Sequence, residues 1–156
     1  MKKIIGIIAL ALVCTVLFCA CGSKTAAKPL SDIYSDIKAQ YTLTDMVEFT
    51  DASTIERFYG ITADQMEEFA GGVNNSGVNQ EEIVLIKAKD ADSASDIETK
   101  LSNRLESKLN ETKNYNPEQY AIVEKASVNT SGLYVSLIIS ENRDGITKIY
   151  NDAIGA

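Results

Sequence analysis

The stretch Glu82-Ile83-Val84-Leu85-Ile86-Lys87-Ala88 decides the fold. Four consecutive apolar residues between charged ends fit a strand that is buried on both faces or central in its sheet. Asp90 to Asp92 then turn the chain, and the hydrophobic period changes. Ala94, Ile97, Leu101, Leu105 and Leu109 recur every three or four residues, which predicts a long helix with one apolar stripe. Ser93 with Asp96 is placed to cap it, Lys100, Arg104 and Lys108 fall on other faces, and it ends near Lys113-Asn114.

Upstream of this pair, Met66 to Val73 reads as a strand weakened by Gly71-Gly72, and Asn74 to Gln80 is rich in turn residues. Ser31 can cap a first helix with Ile33, Ile37 and Tyr41 as its apolar positions. Ser53-Thr54-Ile55-Glu56 has the capping-box pattern, with Ile55, Phe58 and Tyr59 on one face and Gly60 to end the helix. Thr62-Ala63-Asp64-Gln65 repeats that chemistry for a very short helix.

Downstream, Asn116-Pro117 is an N-cap followed by proline at the first helical position, where the missing N–H costs nothing. A short helix to about Val123 leads to a strand around Ala126 to Asn129, a turn at Thr130-Ser131-Gly132 and a strand from Leu133 to Ile139. A last helix, about Glu141 to Ala153, groups Ile146, Ile149, Tyr150 and Ala153. The hairpins require antiparallel pairing. The expected class is therefore α+β, a four-stranded antiparallel sheet with helices packed on it, roughly α-α-β-β-α-β-β-α, in one domain from residue 30 to 156.

The first 29 residues read differently. Lys2 and Lys3 precede an apolar run from Ile4 to Phe18, which is shorter than the approximately 20 residues a membrane span needs. Leu17-Phe18-Cys19-Ala20-Cys21 resembles a lipobox, with the small Ala20 directly before Cys21. Residues 1–20 are thus expected to be a lipoprotein signal peptide, cleaved between Ala20 and Cys21, with Cys21 lipidated. An ordinary signal peptide and a retained anchor helix are the competing readings. Of the three cysteines only Cys21 survives cleavage, and a thioether carrying two acyl chains is an inert and stable anchor. Residues 21–29 form a small, polar tether that reaches about 15 Å as a coil. Lys24 and Lys28 are placed to meet lipid headgroups.

Cleavage removes two of 15 basic residues and none of 22 acids, so 13 against 22 leaves a net charge of −9. That balance argues against nucleic acid and anionic surfaces as partners. The chain has no histidine, which removes the commonest general base and metal ligand. No cofactor and no metal site is expected.

Tyr59-Gly60, the Glu82 to Lys87 strand, the long helix, Tyr115-Asn116-Pro117 and Gly132-Leu133-Tyr134 stand in an order that resembles the small lipoproteins of domain-of-unknown-function family 4358 (DUF4358). The resemblance covers about Leu30 to Ile154. It implies an α+β fold and a lipid-anchored, extracytoplasmic location on a Gram-positive cell membrane, and it carries over no functional residues.

Several residue groups invite a chemical reading. Ser35-Asp36-Ile37-Lys38 matches the S-x-x-K pattern of penicillin-binding enzymes, but no K-T-G strand accompanies it and a solvent-facing helix surface is the expected role. Asp90, Asp92 and Asp96 suggest a calcium loop without its glycine and terminal glutamate, and they also suit a helix N-terminus. Glu81, Glu82 and Lys87 are expected at a solvated strand end, with a cross-strand ion pair or the binding of a cationic ligand as the alternatives. Tyr59, Tyr115, Tyr120 and Tyr134 are the candidate lining of an aromatic groove for a peptide or glycan, against the plainer role of tyrosine at a core margin.

With no convergent catalytic set, the expected function is a non-catalytic binding or assembly module of the cell envelope. Its partners would be membrane lipid through acylated Cys21 and another envelope protein. A small carboxylate enzyme acting on glycan or peptide is the first alternative, and a solute-binding lipoprotein the second.

Overall fold

The computed structural model describes residues 27–156; Ala20, Cys21 and the expected signal peptide lie outside them. Among the described residues, five α-helices and five strands form an α+β domain. In chain order these are α1 (Leu30–Gln40), β1 (Met46–Glu48), α2 (Ala52–Tyr59), a 3-10 turn (Ala63–Gln65), β2 (Met66–Asn74), β3 (Glu82–Ala88), α3 (Ala91–Tyr115), α4 (Pro117–Val123), β4 (Val128–Ser131), β5 (Tyr134–Ile139) and α5 (Arg143–Ile154).

The sheet is antiparallel throughout, with strand order β1-β2-β3-β5-β4. The apolar run of β3 takes the central place that its composition predicts. Ile83 and Leu85 face α1 and α5, packing with Ile33, Ile37, Ile138 and Ile146. Val84 and Ile86 face α2, α3 and α4, packing with Ile55, Ile97, Leu101 and Val123. All four β3 residues are fully buried, each worth about 1.5–3 kcal/mol relative to exposure. The sheet is thus the middle of three layers.

The expected four strands are corrected to five. Met46–Glu48 pairs with Gly72 to Asn74, and it was missed because three residues give no alternating pattern. The glycines that weaken β2 as a sequence are what admit this neighbour. A Cβ on Gly72 would sit 2.9 Å from the Val47 carbonyl oxygen and 3.1 Å from the Tyr34 hydroxyl. At Gly71, φ is 130° and a Cβ would fall 1.9 Å from the Ile83 carbonyl oxygen, so no side chain is admitted there.

Helix starts also move. Pro29 stands at the N-cap of α1 in place of Ser31, and the Leu30 amide donates to Glu68 Oε2 at 3.0 Å. Asp51 caps α2, accepting from the Thr54 amide, and Asp90 caps α3, accepting from the Ser93 amide. A carboxylate two or three residues earlier takes the role assigned to Ser53 and Ser93, starting each helix sooner with a stronger, charge-assisted bond to its own N3 amide. Asn116 and Pro117 open α4 as expected.

The chain enters the domain at one end of these layers. Lys28 donates its backbone N–H to the Ala153 carbonyl oxygen at the end of α5 (3.2 Å), and its ammonium pairs with Asp36. Among the described residues, no helix is long and apolar enough to cross a membrane.

Candidate functional site

At the opposite end, Glu81 precedes β3 and Glu82 begins it. Side chains alternate along a strand, so these neighbours point to opposite faces of the sheet; Glu81 lines one cleft, and Glu82 lies behind the wall of another.

Glu82 is in phase with Val84 and Ile86 and turns toward α3. It is fully buried, contrary to the solvated strand end expected for it. Arg104 Nε donates to its two carboxylate oxygens at 3.2 and 3.3 Å, and Arg104 Nη2 donates to Oε2 at 2.9 Å. Lys108, one turn further along α3 and 4% exposed, places Nζ 2.9 Å from the same oxygen. Its remaining protons go to the carbonyl oxygen of Gln80 at 3.2 Å and to Gln80 Oε1 at 3.0 Å.

The burial of Lys108 follows from helix geometry. The covered row of α3 runs Ala94, Ile97, Leu101, Lys108, Thr112, with Leu105 and Leu109 partly buried. The row continues past the apolar core to meet the start of β3, and there a buried carboxylate receives the cation. Burial, opposed by Glu82, holds the Lys108 ammonium below the ordinary lysine range. Beneath Arg104 lies the Tyr59 ring, 5.9 Å from the guanidinium carbon to the ring centre. The Tyr59 hydroxyl is buried with no hydrogen-bond partner among the described residues, and burial, followed by the Glu82 charge, raises its pKa.

Above this cluster opens a cleft of about 270 Å³. Arg104, Lys108 and Glu111 of α3 form one wall, Phe58 of α2 another, and Asn75, Asn79 and Gln80 of the β2–β3 loop a third. That loop is stapled in place. The Gln80 amide donates to Gln119 Oε1 at 2.7 Å, and Asn116 Nδ2 donates to the Val78 carbonyl oxygen at 3.3 Å.

On the other face, Glu81 accepts from Ser140 Oγ at 2.6 Å, and Ser140 Oγ accepts from the Asn142 amide at 3.1 Å. A cleft of about 200 Å³ surrounds them, with Thr42, Thr44 and Glu141 among its lining residues. Asn79 lines both clefts, so the loop divides them.

The four tyrosines expected to share a groove are not brought together. Tyr59 packs on the α3 side of the sheet, and Tyr134 lies against the α1 and α5 side, in register with Lys87. Tyr115 is exposed at the end of α3, and Tyr120 on α4 donates to Glu124 at 3.2 Å. Other groups sort as follows. Lys87 pairs with Glu67 at 2.6 Å across β2 and β3, realising the cross-strand alternative. Ser35 Oγ donates to the Ser31 carbonyl oxygen, and Lys38 pairs with Glu48, so the two do not meet. Asp96 pairs with Lys100 and with Gln65, and Asp90 caps its helix.

Sequence reasoning missed the Glu82, Arg104, Lys108 cluster. The available signal was phase: Glu82 is two and four residues from Val84 and Ile86, and Lys108 and Thr112 continue the three-and-four spacing of Leu101 and Leu105.

The chain belongs to the family described as Domain of unknown function (DUF4358), whose family model matches residues 39–140. The matched segment includes Glu81, Glu82, Arg104, Lys108 and Ser140, and leaves out α5 and nearly all of α1. No curated protein and no solved structure matches the chain.

Proposed function

For this member of the DUF4358 family we propose a non-catalytic binding module of the cell envelope, anchored at the extracytoplasmic face of the membrane through lipidated Cys21, with both clefts facing away from the bilayer.

The observation that carries this reading is the place where the chain enters the fold. Lys28 is fixed at the end of α5, beside the start of α1. The clefts lie at the other ends of those helices, since Thr42 and Thr44 follow α1 and Asn142 precedes α5. The Tyr41 hydroxyl against Gly145 gives the same antiparallel pairing. Helices of 11 and 12 residues, at about 1.5 Å per residue, separate the two ends by roughly 16–18 Å. The tether expected between Cys21 and the fold, seven residues to Ala27, would reach about 13–16 Å. An anchor at Cys21 therefore holds the entry end near the headgroups and presents the clefts outward.

The chemistry of the larger cleft favours binding. Lys108 has three acceptors and Arg104 is committed to Glu82, so neither is a free base or nucleophile. Buried ion networks contribute little net stability compared with apolar packing. Placing one beside an open cleft is better explained by recognition than by folding.

The carboxylate enzyme is the second reading. One observation favours it: Glu81 and Glu141 line the same cleft as Ser140. A solute-binding lipoprotein ranks third.

The anchoring test is direct. Cys21→Ala releases the protein from membranes or leaves its signal uncleaved; membrane retention with unchanged mass rejects the proposal. Envelope glycan or peptide turnover by the wild type that disappears in both Glu81→Gln and Glu141→Gln would put the enzyme first.

A further inference from the structure

We infer that the cleft over Arg104 is a recognition site for a small ligand bearing a free carboxylate. This rests on the binding-module reading and names the ligand chemistry.

Arg104 is a preorganised donor. Its Nε and Nη2 hydrogens are directed at Glu82, and the Tyr59 ring supports the guanidinium from one side. Its Nη1 has no hydrogen-bond partner among the described residues, and 27% of the side chain is exposed in a wall of the cleft. The guanidinium therefore offers the cleft its end-on edge, with Nη1 and the second Nη2 hydrogen side by side. That fork matches the two oxygens of a carboxylate, and little rotamer freedom remains to be lost on binding.

Charge points the same way. Behind the cleft wall, two cations face the single carboxylate of Glu82. The surplus is met from the rim by Glu111, whose charge acts on both Arg104 and Lys108. Glu111 is exposed, and its side chain makes no hydrogen bond among the described residues. It balances the site loosely and can be displaced by an anion that reaches the fork. In an acidic chain such a local surplus is where an anion is held.

The rest of the cleft sets the size and character of the ligand. Asn79 Oδ1 accepts from the Glu81 amide, which leaves its Nδ2 free to donate beside Arg104. Phe58 and Val73 give an apolar wall. A volume of about 270 Å³ corresponds to roughly nine waters at about 30 Å³ each, enough for a capped amino acid.

The experiment titrates the full chain, purified in detergent, with N-acetylalanine and separately with N-acetylalaninamide. The readout is ¹⁵N NMR at Arg104 Nε and the Asn79 side-chain amide. The acid should shift both resonances saturably, and the amide should not. Arg104→Lys, which keeps the charge beside Glu82 and loses the fork, should weaken binding by about tenfold or more. Glu111→Gln, at the rim and outside the core, should strengthen it by about threefold or more. Equal response to acid and amide overturns the inference, as does unchanged or weaker binding in Glu111→Gln. Inorganic phosphate binding as tightly as the acid also overturns it, since the site would then select charge alone. These outcomes leave the Cys21 anchoring test untouched, so the two proposals fail separately.

Discussion

Glu82→Gln removes one charge and almost no volume, so it isolates the electrostatics of the α3 cluster. In the native fold a fully buried carboxylate faces Arg104 and Lys108. Removing one partner of a buried pair costs about 3–5 kcal/mol, because the remaining charge is left uncompensated. Two features argue for the lower end. Arg104 retains partial access to water, and Lys108 keeps both Gln80 acceptors. The expected loss is about 3 kcal/mol, a large share of the 5–15 kcal/mol typical of a domain. At about 4 °C per kcal/mol for a domain of this size, Tm falls by roughly 12 °C. The loss depends on pH with a definite sign. Burial already holds the folded-state pKa of Lys108 below its ordinary value, and losing Glu82 lowers it further. Between that lowered value and the unfolded lysine value near 10.4 the unfolded chain binds more protons, so stability rises with pH across this window. The deficit of Glu82→Gln is therefore expected to be largest near neutral pH and to shrink toward pH 10. Adding Lys108→Met, which replaces the stranded cation with an apolar chain of similar length, should recover more than half of the loss. Urea unfolding followed by circular dichroism at several pH values measures all of this. A loss under about 1 kcal/mol, or no recovery in the double variant, would refute the buried network.

Two further outcomes follow from the same structure. Gly71→Ala should cost about 3 kcal/mol or more and lower soluble yield, because its Cβ would overlap the Ile83 carbonyl oxygen at a φ of 130°; Gly60→Ala, at φ 68° with nothing within 4 Å, should cost only about 1 kcal/mol. Burial raises the pKa of Tyr34, Tyr59 and Tyr150, so the folded chain keeps three protons that the unfolded chain releases above about pH 10, and stability falls as pH rises beyond that point. With no tryptophan present, absorbance at 295 nm follows the seven tyrosines cleanly. These three should ionise only together with loss of the circular dichroism signal, and a smooth seven-tyrosine titration of the folded protein would contradict their burial.

What could be read from the sequence follows burial. The β3 run and the α3 stripe were legible because their apolar periods are long and their turns are marked by Asp90, Asn116 and Gly132. β1 was not, since its place depends on the close approach that Gly72 permits, a property of the partner strand. Caps moved from Ser53 and Ser93 to Asp51 and Asp90 because serine and aspartate both favour the N-cap, and pattern alone does not rank neighbouring candidates. The cluster of Glu82, Arg104 and Lys108 was hidden by a general expectation, that charged residues at a strand end and on a helix are solvated. Glu82 and Lys108 violate it together, each being the reason the other is buried. The tyrosines were misleading for the opposite reason: Tyr59 and Tyr134 share a chemistry, but strand alternation and helix placement put them on opposite faces of the sheet.

The proposed orientation is open to one direct measurement. In the proposed processing Cys14 and Cys19 would leave with the signal and Cys21 would be blocked as a thioether, making an introduced cysteine the only free thiol of the processed chain. A donor dye is attached at Val78→Cys, on the loop between the clefts, or at Asp152→Cys, near the end of α5 where the chain enters. The lipidated protein is then placed in vesicles carrying acceptor-labelled lipid. Energy transfer should be strong from position 152 and clearly weaker from position 78. Equal transfer from both, or stronger transfer from 78, would contradict a module that presents its clefts away from the membrane.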